Sequence, residues 1–164
     1  DIIKQLNLKE PLILVSSFDR ANIKYFVQPK KSVLQNIIQY INEHPDDSGI
    51  IYCLSRKGTE EMANNLRENG INSAYYHAGL SSMERAKVQD DFIKDKIRVM
   101  VATIAFGMGI DKSNVRFVMH ADLPKNIESY YQETGRAGRD GLPSEAILFY
   151  SNADVIKKKR KALI

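Results

Sequence analysis

Two arginines, Arg136 and Arg139, lie three positions apart in the segment QETGRAGRDG (residues 132–141), among three glycines. An arginine guanidinium group is permanently charged, and its planar fork matches the geometry of phosphate oxygens. Two such groups at a glycine-rich helix end are suited to stabilise charge on a phosphoryl group, as an arginine finger does on a nucleotide bound by another lobe. The alternative is a surface turn in which the arginines pair with Glu133 and Asp140. Spacing alone does not decide between the two.

A phosphate-binding loop of the chain's own is missing from the sequence. A dinucleotide fingerprint requires a third glycine three residues after Gly109, where Lys112 stands instead. A P-loop requires glycine directly before Lys-Ser/Thr, but Asp111 precedes Lys112 and Ser113. The chain therefore lacks the minimal equipment to hydrolyse a nucleotide alone, and the arginines are expected to face a nucleotide held elsewhere.

The elements that position these residues follow from the hydrophobic pattern. Short β-rich apolar runs alternate with longer amphipathic stretches, which is typical of an α/β fold with a mostly parallel sheet and crossover helices. The predicted strands cover residues 23–28, 50–54, 73–77, 97–103, 115–120 and 146–150, and the predicted helices cover 31–43, 59–69, 81–94, 126–134 and 152–163.

Helix ends and faces are predicted from individual side chains. Thr59 is predicted to cap the second helix, which ends before Gly70. Ser81 is predicted to cap the third helix, with Glu84 completing a capping box. The inward side of that helix is predicted to contain Met83, Ala86, Val88 and Phe92.

Polar residues end or follow four of the predicted strands. Because ligands gather at the carboxyl ends of parallel strands, these residues predict a rim that suits a phosphodiester chain. They include Ser55, Arg56, His77, Thr103 and His120. Taken singly, Ser55 and Arg56 also fit a solvated helix cap, and the two histidines also fit structural roles. No spacing of histidine and carboxylate residues resembles a metal site, so no metal ligand is expected.

Composition is consistent with one soluble globular domain. The 164 residues are 43% hydrophobic and 27% charged, and the net charge of +4 leans toward a polyanionic partner without requiring one. A single cysteine, Cys53, excludes an internal disulfide and fits a reducing intracellular compartment. No apolar run reaches the roughly 18 residues of a membrane span, so we expect a cytoplasmic protein without membrane contact. The start without Met indicates a piece of a longer protein, and the basic run 157–161 fits a solvated face.

Several motifs resemble those of one family. VATIAFGMGIDK (residues 101–112) and QETGRAGRD (132–140) resemble motifs V and VI of superfamily 2 helicases, and VRFVMHADLPKNIESYY (115–131) resembles the RecQ branch. IIYCLSR (50–56) resembles motif IV, YYHAGL (75–80) the following block, and SSFDRANIKY (16–25) the RecQ junction between the motor lobes. The resemblance covers essentially the whole chain. Ser113 stands where the family often has proline, which affects only a local turn.

The resemblance implies the second RecA-like lobe, a three-layer fold, of an ATP-dependent 3′–5′ DNA helicase. Residues 1–22 would be the inter-lobe junction, 23–151 the lobe, and 152–164 a helix leading toward a zinc-binding subdomain. ATP and Mg²⁺ would be bound mainly by the first lobe, and Zn²⁺ only by the downstream subdomain. The partners would be single-stranded and duplex DNA and the first lobe. In a bacterium the protein would associate with the nucleoid, and this fragment alone is expected to be inactive.

The resemblance also implies a role for each site residue. Arg139, the preferred arginine finger, and Arg136 would face the γ-phosphate. Gln132 would couple the nucleotide to the lobe interface, and Asp111 with Gly109 would approach the ribose. The DNA backbone would contact Ser55, Arg56, His77 and Thr103. Two alternatives stay open: the equivalent lobe of an RNA helicase, and a standalone nucleic-acid-binding or regulatory module.

Overall fold

The structure, a computed structural model, describes residues 5–7, 9, 20–107 and 110–154. Its centre is a six-stranded sheet in the order β1-β6-β5-β2-β4-β3, in which every neighbouring pair is parallel. The strands are β1 (Ile23–Pro29), β2 (Ser48–Tyr52), β3 (Ser73–Tyr76), β4 (Val99–Ala102), β5 (Val115–His120) and β6 (Ser144–Tyr150). The helices are α1 (Val33–Glu43), α2 (Arg56–Glu68), α3 (Ser82–Ile93) and α4 (Ile127–Thr134). The α/β prediction is confirmed.

Alternating side chains of the strands bury the two faces of the sheet in separate cores. On one face, Ile51 and Val101 pack with Ile37 of α1 and Leu66 of α2. On the other face, the neighbouring strand residues Ile50, Met100 and Val118 pack with Phe92 of α3, Phe106 and Ala137. Because strand side chains point alternately to opposite faces, this pattern produces three layers, with the sheet in the middle.

Helix α2 begins one turn earlier than predicted. Ser55 is its cap, because the Oγ of Ser55 accepts a hydrogen bond from the backbone N–H of Gly58 at 3.0 Å. Thr59 is buried inside the helix, and its hydroxyl donates to the Ser55 carbonyl at 2.7 Å. The prediction of Thr59 as the cap was therefore wrong, whereas the helix does end before Gly70, which has a φ of 78°.

Helix α3 confirms its predicted cap but only half of its predicted face. The backbone N–H of Glu84 donates to the Ser81 hydroxyl, and the Ser81 N–H donates to the Glu84 carboxylate, as a capping box requires. Phe92 is buried and Val88 is half-buried, but Met83 and Ala86 are exposed. The side chains that enter the core lie in the second half of the helix, so the assignment of Met83 and Ala86 was wrong.

The predicted boundaries of the lobe stay predictions. Most of the predicted junction 1–22 and of the predicted terminal helix lies outside the described residues, although residues 152–154 are helical. Within the described part of the chain, none of the helices is long and apolar enough to cross a membrane.

Candidate functional site

Arg136 and Arg139 both contact the segment that follows β4. The Nη1 of Arg136 donates to the Gly107 carbonyl at 2.5 Å, and the Nη1 of Arg139 donates to the Ile110 carbonyl at 2.8 Å. The two guanidinium groups are thus anchored on either side of residues 108 and 109, which lie outside the described residues. The structure therefore joins the two glycine-rich segments of the sequence in one site.

Glu133 and Asp140, the acidic residues near the two arginines in sequence, pair with other side chains. Glu133 lies 2.6 Å from the Nε2 of His120, and both oxygens of Asp140 accept from Arg116 at 2.6 Å. The Arg116 hydrogen bond lowers the pKa of the Asp140 carboxyl. Because neither acid pairs with Arg136 or Arg139 in the structure, the interpretation as a self-paired surface turn is wrong.

The guanidinium of Arg136 is packed tightly against Gly107. A β-carbon at Gly107 would lie 2.2 Å from the Nη2 of Arg136, so only glycine leaves room for the guanidinium in this position. The Nε of Arg136 is buried and has no hydrogen-bond partner among the described residues. A buried donor without a partner is costly, so this nitrogen is a ready donor to an anion that enters the site.

Tyr52 lies beneath this site at the end of β2. Burial raises the pKa of its hydroxyl, and the positive charge of Arg136 opposes that shift only in part. The neutral hydroxyl donates to the Phe106 carbonyl at 3.1 Å. Tyr52 therefore fixes the backbone immediately before Gly107, to which Arg136 is bound.

Arg139 is the more accessible of the two arginines. The side chain of Arg139 is 36% exposed to solvent, and among the described residues its Nη2 and Nε have no hydrogen-bond partner. The carboxylate nearest to it is Asp111 at 3.4 Å, whose own side chain is 94% exposed. Both groups can thus be reached by a ligand, and the free donors of Arg139 fit phosphate oxygens.

Helix α4 contains Gln132 and is bound to the sheet through a buried pair. His120, at the end of β5, is fully buried and contacts Glu133 of α4, and the ring of Tyr52 stacks on it at 5.2 Å between centroids. The Nδ1 of His120 has no partner within the described part of the chain. Gln132 itself is exposed. The last residue predicted for this site, Gly109, lies outside the described residues.

The predicted nucleic-acid rim lies along the carboxyl ends of β2, β4 and β3, which are neighbours in the sheet. Ser55 and Arg56 follow β2, Thr103 follows β4, and His77 follows β3. Ser55 and Arg56 are exposed, and Thr103 is half-buried with its hydroxyl accepting from the Ala105 N–H at 3.4 Å. The structure thus brings these four residues to one edge of the sheet.

His77 has a different environment from the rest of the rim. It is 4% exposed, its Nε2 lies 2.8 Å from the Glu60 carboxylate, and its Nδ1 accepts from the Gly79 N–H at 3.2 Å. Both ring nitrogens are therefore occupied inside the protein. This arrangement favours a role in holding the loop beside Arg56 over a direct contact of the ring with DNA.

Two contacts near the arginines have no signal in the sequence pattern. The Lys112 ammonium is buried against the Phe92 ring and lies 2.5 Å from Asp95, and this hydrogen bond lowers the pKa of the Asp95 carboxyl. Arg20 binds the backbone of the loop that contains Arg136. Both contacts join residues far apart in sequence, which periodicity and local spacing do not reveal. Among the described residues, no three His, Cys, Asp or Glu side chains form a cluster that could hold a metal ion.

Comparison with known proteins yields a consistent set of relatives. The sequence profile of the helicase conserved C-terminal domain family matches residues 29–141. The chain is 54% identical over 154 residues to the ATP-dependent DNA helicase RecQ of Haemophilus influenzae, covering 94% of this chain and 25% of that protein. It is 51% identical over 164 residues to the RecQ-like DNA helicase BLM of Xenopus laevis, covering 98% of this chain and 12% of that protein.

The fold has solved counterparts as well. A crystal structure of a DEAD box protein from Methanococcus jannaschii superposes with a TM-score of 0.72 at 30% identity, covering 87% of this chain and 39% of that one. The chain therefore belongs to the helicase conserved C-terminal domain family, and within it to the RecQ branch of superfamily 2. The resemblance inferred from the motifs and the three-layer RecA-like fold are both confirmed. The chain spans a quarter or less of the length of the two RecQ-type helicases.

Proposed function

We propose that this chain is the second motor lobe of an ATP-dependent 3′–5′ DNA helicase and that it supplies arginines to ATP bound on the first lobe. The observation that carries the proposal is the placement of Arg136 and Arg139. Both are anchored to carbonyls of one segment and both keep donors without a partner among the described residues. The sequence has no phosphate-binding loop of its own, so a nucleotide that these donors bind would be held by another part of the protein.

The arginines differ in what they do in this proposal. Arg139 extends its accessible guanidinium toward the γ-phosphoryl group and stabilises the charge that develops on its oxygens. Arg136, held against Gly107, offers its buried Nε to the same region. Gln132 on α4 transmits the state of the nucleotide to the lobe interface, and Asp111 with Gly109 approaches the ribose.

Hydrolysis is coupled to movement through these contacts. ATP bound with Mg²⁺ on the first lobe supplies the phosphoryl group, whose transfer to water is the source of free energy. With that group in place, the arginines hold the two lobes together, and after its loss they release the cleft. Ser55, Arg56 and Thr103 then shift their hold on the DNA backbone, with His77 supporting the loop beside Arg56. Backbone contacts carry no base sequence, so translocation along the strand is sequence-tolerant.

The names of the relatives support DNA as the substrate of the full-length protein. The Haemophilus influenzae and Xenopus laevis proteins bear the names of DNA helicases, which favours DNA over RNA as the substrate. We further propose that the full protein acts inside the cell on single-stranded and duplex DNA, and that a zinc-binding subdomain follows the lobe. Unwinding of matched DNA and RNA duplexes by the full-length protein tests the substrate, and a preference for RNA would contradict the proposal.

The division of the ATP site between two lobes is tested with the 164-residue chain alone. The purified chain, with its folding verified by circular dichroism and a cooperative thermal transition, is expected to show no DNA-stimulated ATP hydrolysis. The full-length protein is expected to show it under the same conditions. Turnover by the isolated chain that follows its concentration through purification would contradict the proposal.

A further inference from the structure

We propose that Arg20 and Asn22 are positioning residues that hold the glycine loop (residues 135–141) in the conformation that presents Arg136 and Arg139 together. The Nη1 of Arg20 donates to the Gly135 carbonyl at 3.3 Å. Its Nη2 donates to the carbonyls of Ala137 at 3.1 Å and of Gly138 at 2.8 Å. One guanidinium thus binds the backbone on both sides of Arg136 and directly before Arg139.

Asn22 extends this contact around the loop. Its Nδ2 donates to the Gly138 carbonyl at 2.8 Å and to the Leu142 carbonyl at 3.0 Å. Its Oδ1 lies 3.4 Å from the Nε of Arg20, so the two side chains also orient each other. Together they bind four carbonyls of the loop and its exit, and the Gly138 carbonyl accepts from both.

The loop needs such donors because it follows a helix end. The carbonyls of Gly135, Ala137 and Gly138 lie past the end of α4, beyond its regular hydrogen bonds, and a cation near a helix C-terminus is favourable. Arg20 fulfils both requirements, and it is part-buried, where hydrogen bonds from a charged donor are stronger than in water.

Arg20 and Asn22, together called the clamp, fit closely against the loop. Gly138 has a φ of 55°, and a β-carbon there would lie 2.4 Å from the Nδ2 of Asn22 and 2.6 Å from the Ser144 hydroxyl. The backbone N–H of Gly138 donates to the Val115 carbonyl at 2.8 Å, which fixes the loop to the start of β5. The clamp and β5 therefore hold the loop from two sides.

The clamp also connects the loop to the segment that directly precedes β1. Arg20 and Asn22 directly precede β1, and the Ile23 N–H donates to the Arg20 carbonyl at 2.8 Å. They stand at the end of the predicted inter-lobe junction, and their contacts with the loop join residues 115 or more positions apart in sequence. The loop that contains Arg136 and Arg139 is thus hydrogen-bonded directly to the end of the predicted inter-lobe junction.

This inference rests on the proposed function, and its test is made in the full-length protein. Replacing Arg20 with alanine is expected to lower kcat for DNA-stimulated ATP hydrolysis by about 10²-fold, the effect of a misplacement of about 1 Å. The KM for ATP and the Kd for single-stranded DNA are expected to change by less than about three-fold, because other residues carry binding. Arg20→Lys is expected to be intermediate, since one ammonium group cannot span three carbonyls in a fixed fork.

Arg98 provides a matched control for loss of stability. It donates to the carbonyls of Asp47 and Ile41 at 3.0 and 2.8 Å and also to that of His44, so it binds as many carbonyls as Arg20 does. None of these lies in the glycine loop. Arg98→Ala is therefore expected to lower the thermal transition at least as much as Arg20→Ala while leaving kcat within about three-fold of the parent.

A double-mutant comparison separates positioning from general damage. In a protein that carries both Arg136→Ala and Arg139→Ala, adding Arg20→Ala is expected to cause no further fall in single-turnover hydrolysis, because nothing is left to position. An unchanged kcat in Arg20→Ala, an equal fall in Arg98→Ala, or a full further fall in the triple variant would overturn the inference. If Arg20→Ala does not fold, Asn22→Ala is put through the same comparisons with the same expectations.

The two proposals fail in different ways. If Arg139→Ala turns over normally, the proposed function is wrong whatever Arg20→Ala does. If Arg139→Ala loses turnover while Arg20→Ala and Asn22→Ala keep it, only the clamp is wrong.

Discussion

Replacing Gly107 with alanine tests how closely the position of Arg136 controls turnover. The added carbon would lie 2.2 Å from the Nη2 and 2.7 Å from the Cζ of Arg136. To restore an ordinary contact distance, the guanidinium must move by roughly 1 Å. The φ of Gly107 lies outside the left-handed region, so alanine fits the backbone and the clash with Arg136 is the main effect.

The size of the effect follows from this displacement. The guanidinium is the far end of a flexible side chain, so it can retreat at a folding cost of about 1 kcal/mol, roughly the loss of one hydrogen bond to Gly107. Displacing a catalytic group by about 1 Å lowers the rate by about 10²-fold. We therefore expect kcat for DNA-stimulated ATP hydrolysis in the full-length Gly107→Ala protein to fall by about that factor, with little change in DNA affinity.

The assay is steady-state ATP hydrolysis at saturating DNA, with the thermal transition measured in parallel. The matched control places Gly107→Ala in a protein that already carries Arg136→Ala, where the methyl group has room. In that background the second substitution is expected to have no effect on kcat. If Gly107→Ala alone keeps the parental kcat, Arg136 does not act from the position seen here and the reasoning is refuted.

Two further predictions concern stability. Ser55→Ala removes the cap of α2 and is expected to lower the free energy of unfolding of the 164-residue chain by about 1 kcal/mol, whereas Ser55→Asp keeps the cap but repels the DNA backbone. Thermal unfolding and DNA binding of the two variants check this, and equal stability of Ser55→Ala and the parent would contradict it. Arg116 lowers the pKa of Asp140, so the ion pair between them stabilises the folded protein at pH values above the unfolded pKa of about 3.9. This stabilisation is lost as the pH falls through the lower pKa that Asp140 has in the folded protein. The melting temperature of Asp140→Asn is therefore expected to lie below that of the parent at pH 6 and to equal it near pH 2. A difference in melting temperature that persists at low pH would show that the Arg116–Asp140 ion pair is not its cause.

The sheet was predictable because four of its strands, β2, β4, β5 and β6, are mostly buried. All six strands lie within the predicted runs or within two residues of them. Buried parallel strands read as nearly continuous apolar runs, whereas the exposed edge strand β1 was predicted from its aromatic and β-branched residues. Their ends were less predictable. Leu54 looks like strand, but β2 stops at Tyr52, and the Leu54 N–H donates to the Asp122 carboxylate at 2.9 Å instead of to a neighbouring strand. The hydrophobic periodicity of the sequence does not predict such contacts.

The candidate site was predictable in its residue types but not in its pairings. Glycine spacing and the two arginines indicated phosphate chemistry from a short segment. The partners of Glu133 and Asp140 lie 13 and 24 residues away, and Arg20 lies more than a hundred residues from its loop. These contacts depend on β6 and β5 lying side by side between β1 and β2, an order that no local pattern specifies.

The measurement that tests the central claim most directly is ATP turnover by full-length Arg139→Ala protein, with nucleotide and DNA binding measured on the same preparation. If Arg139 stabilises the phosphoryl group across the cleft, kcat is expected to fall by about 10³-fold or more, as for other arginine fingers, while both affinities stay close to those of the parent. Normal turnover together with weakened DNA binding would contradict the account and would place Arg139 on the nucleic-acid rim.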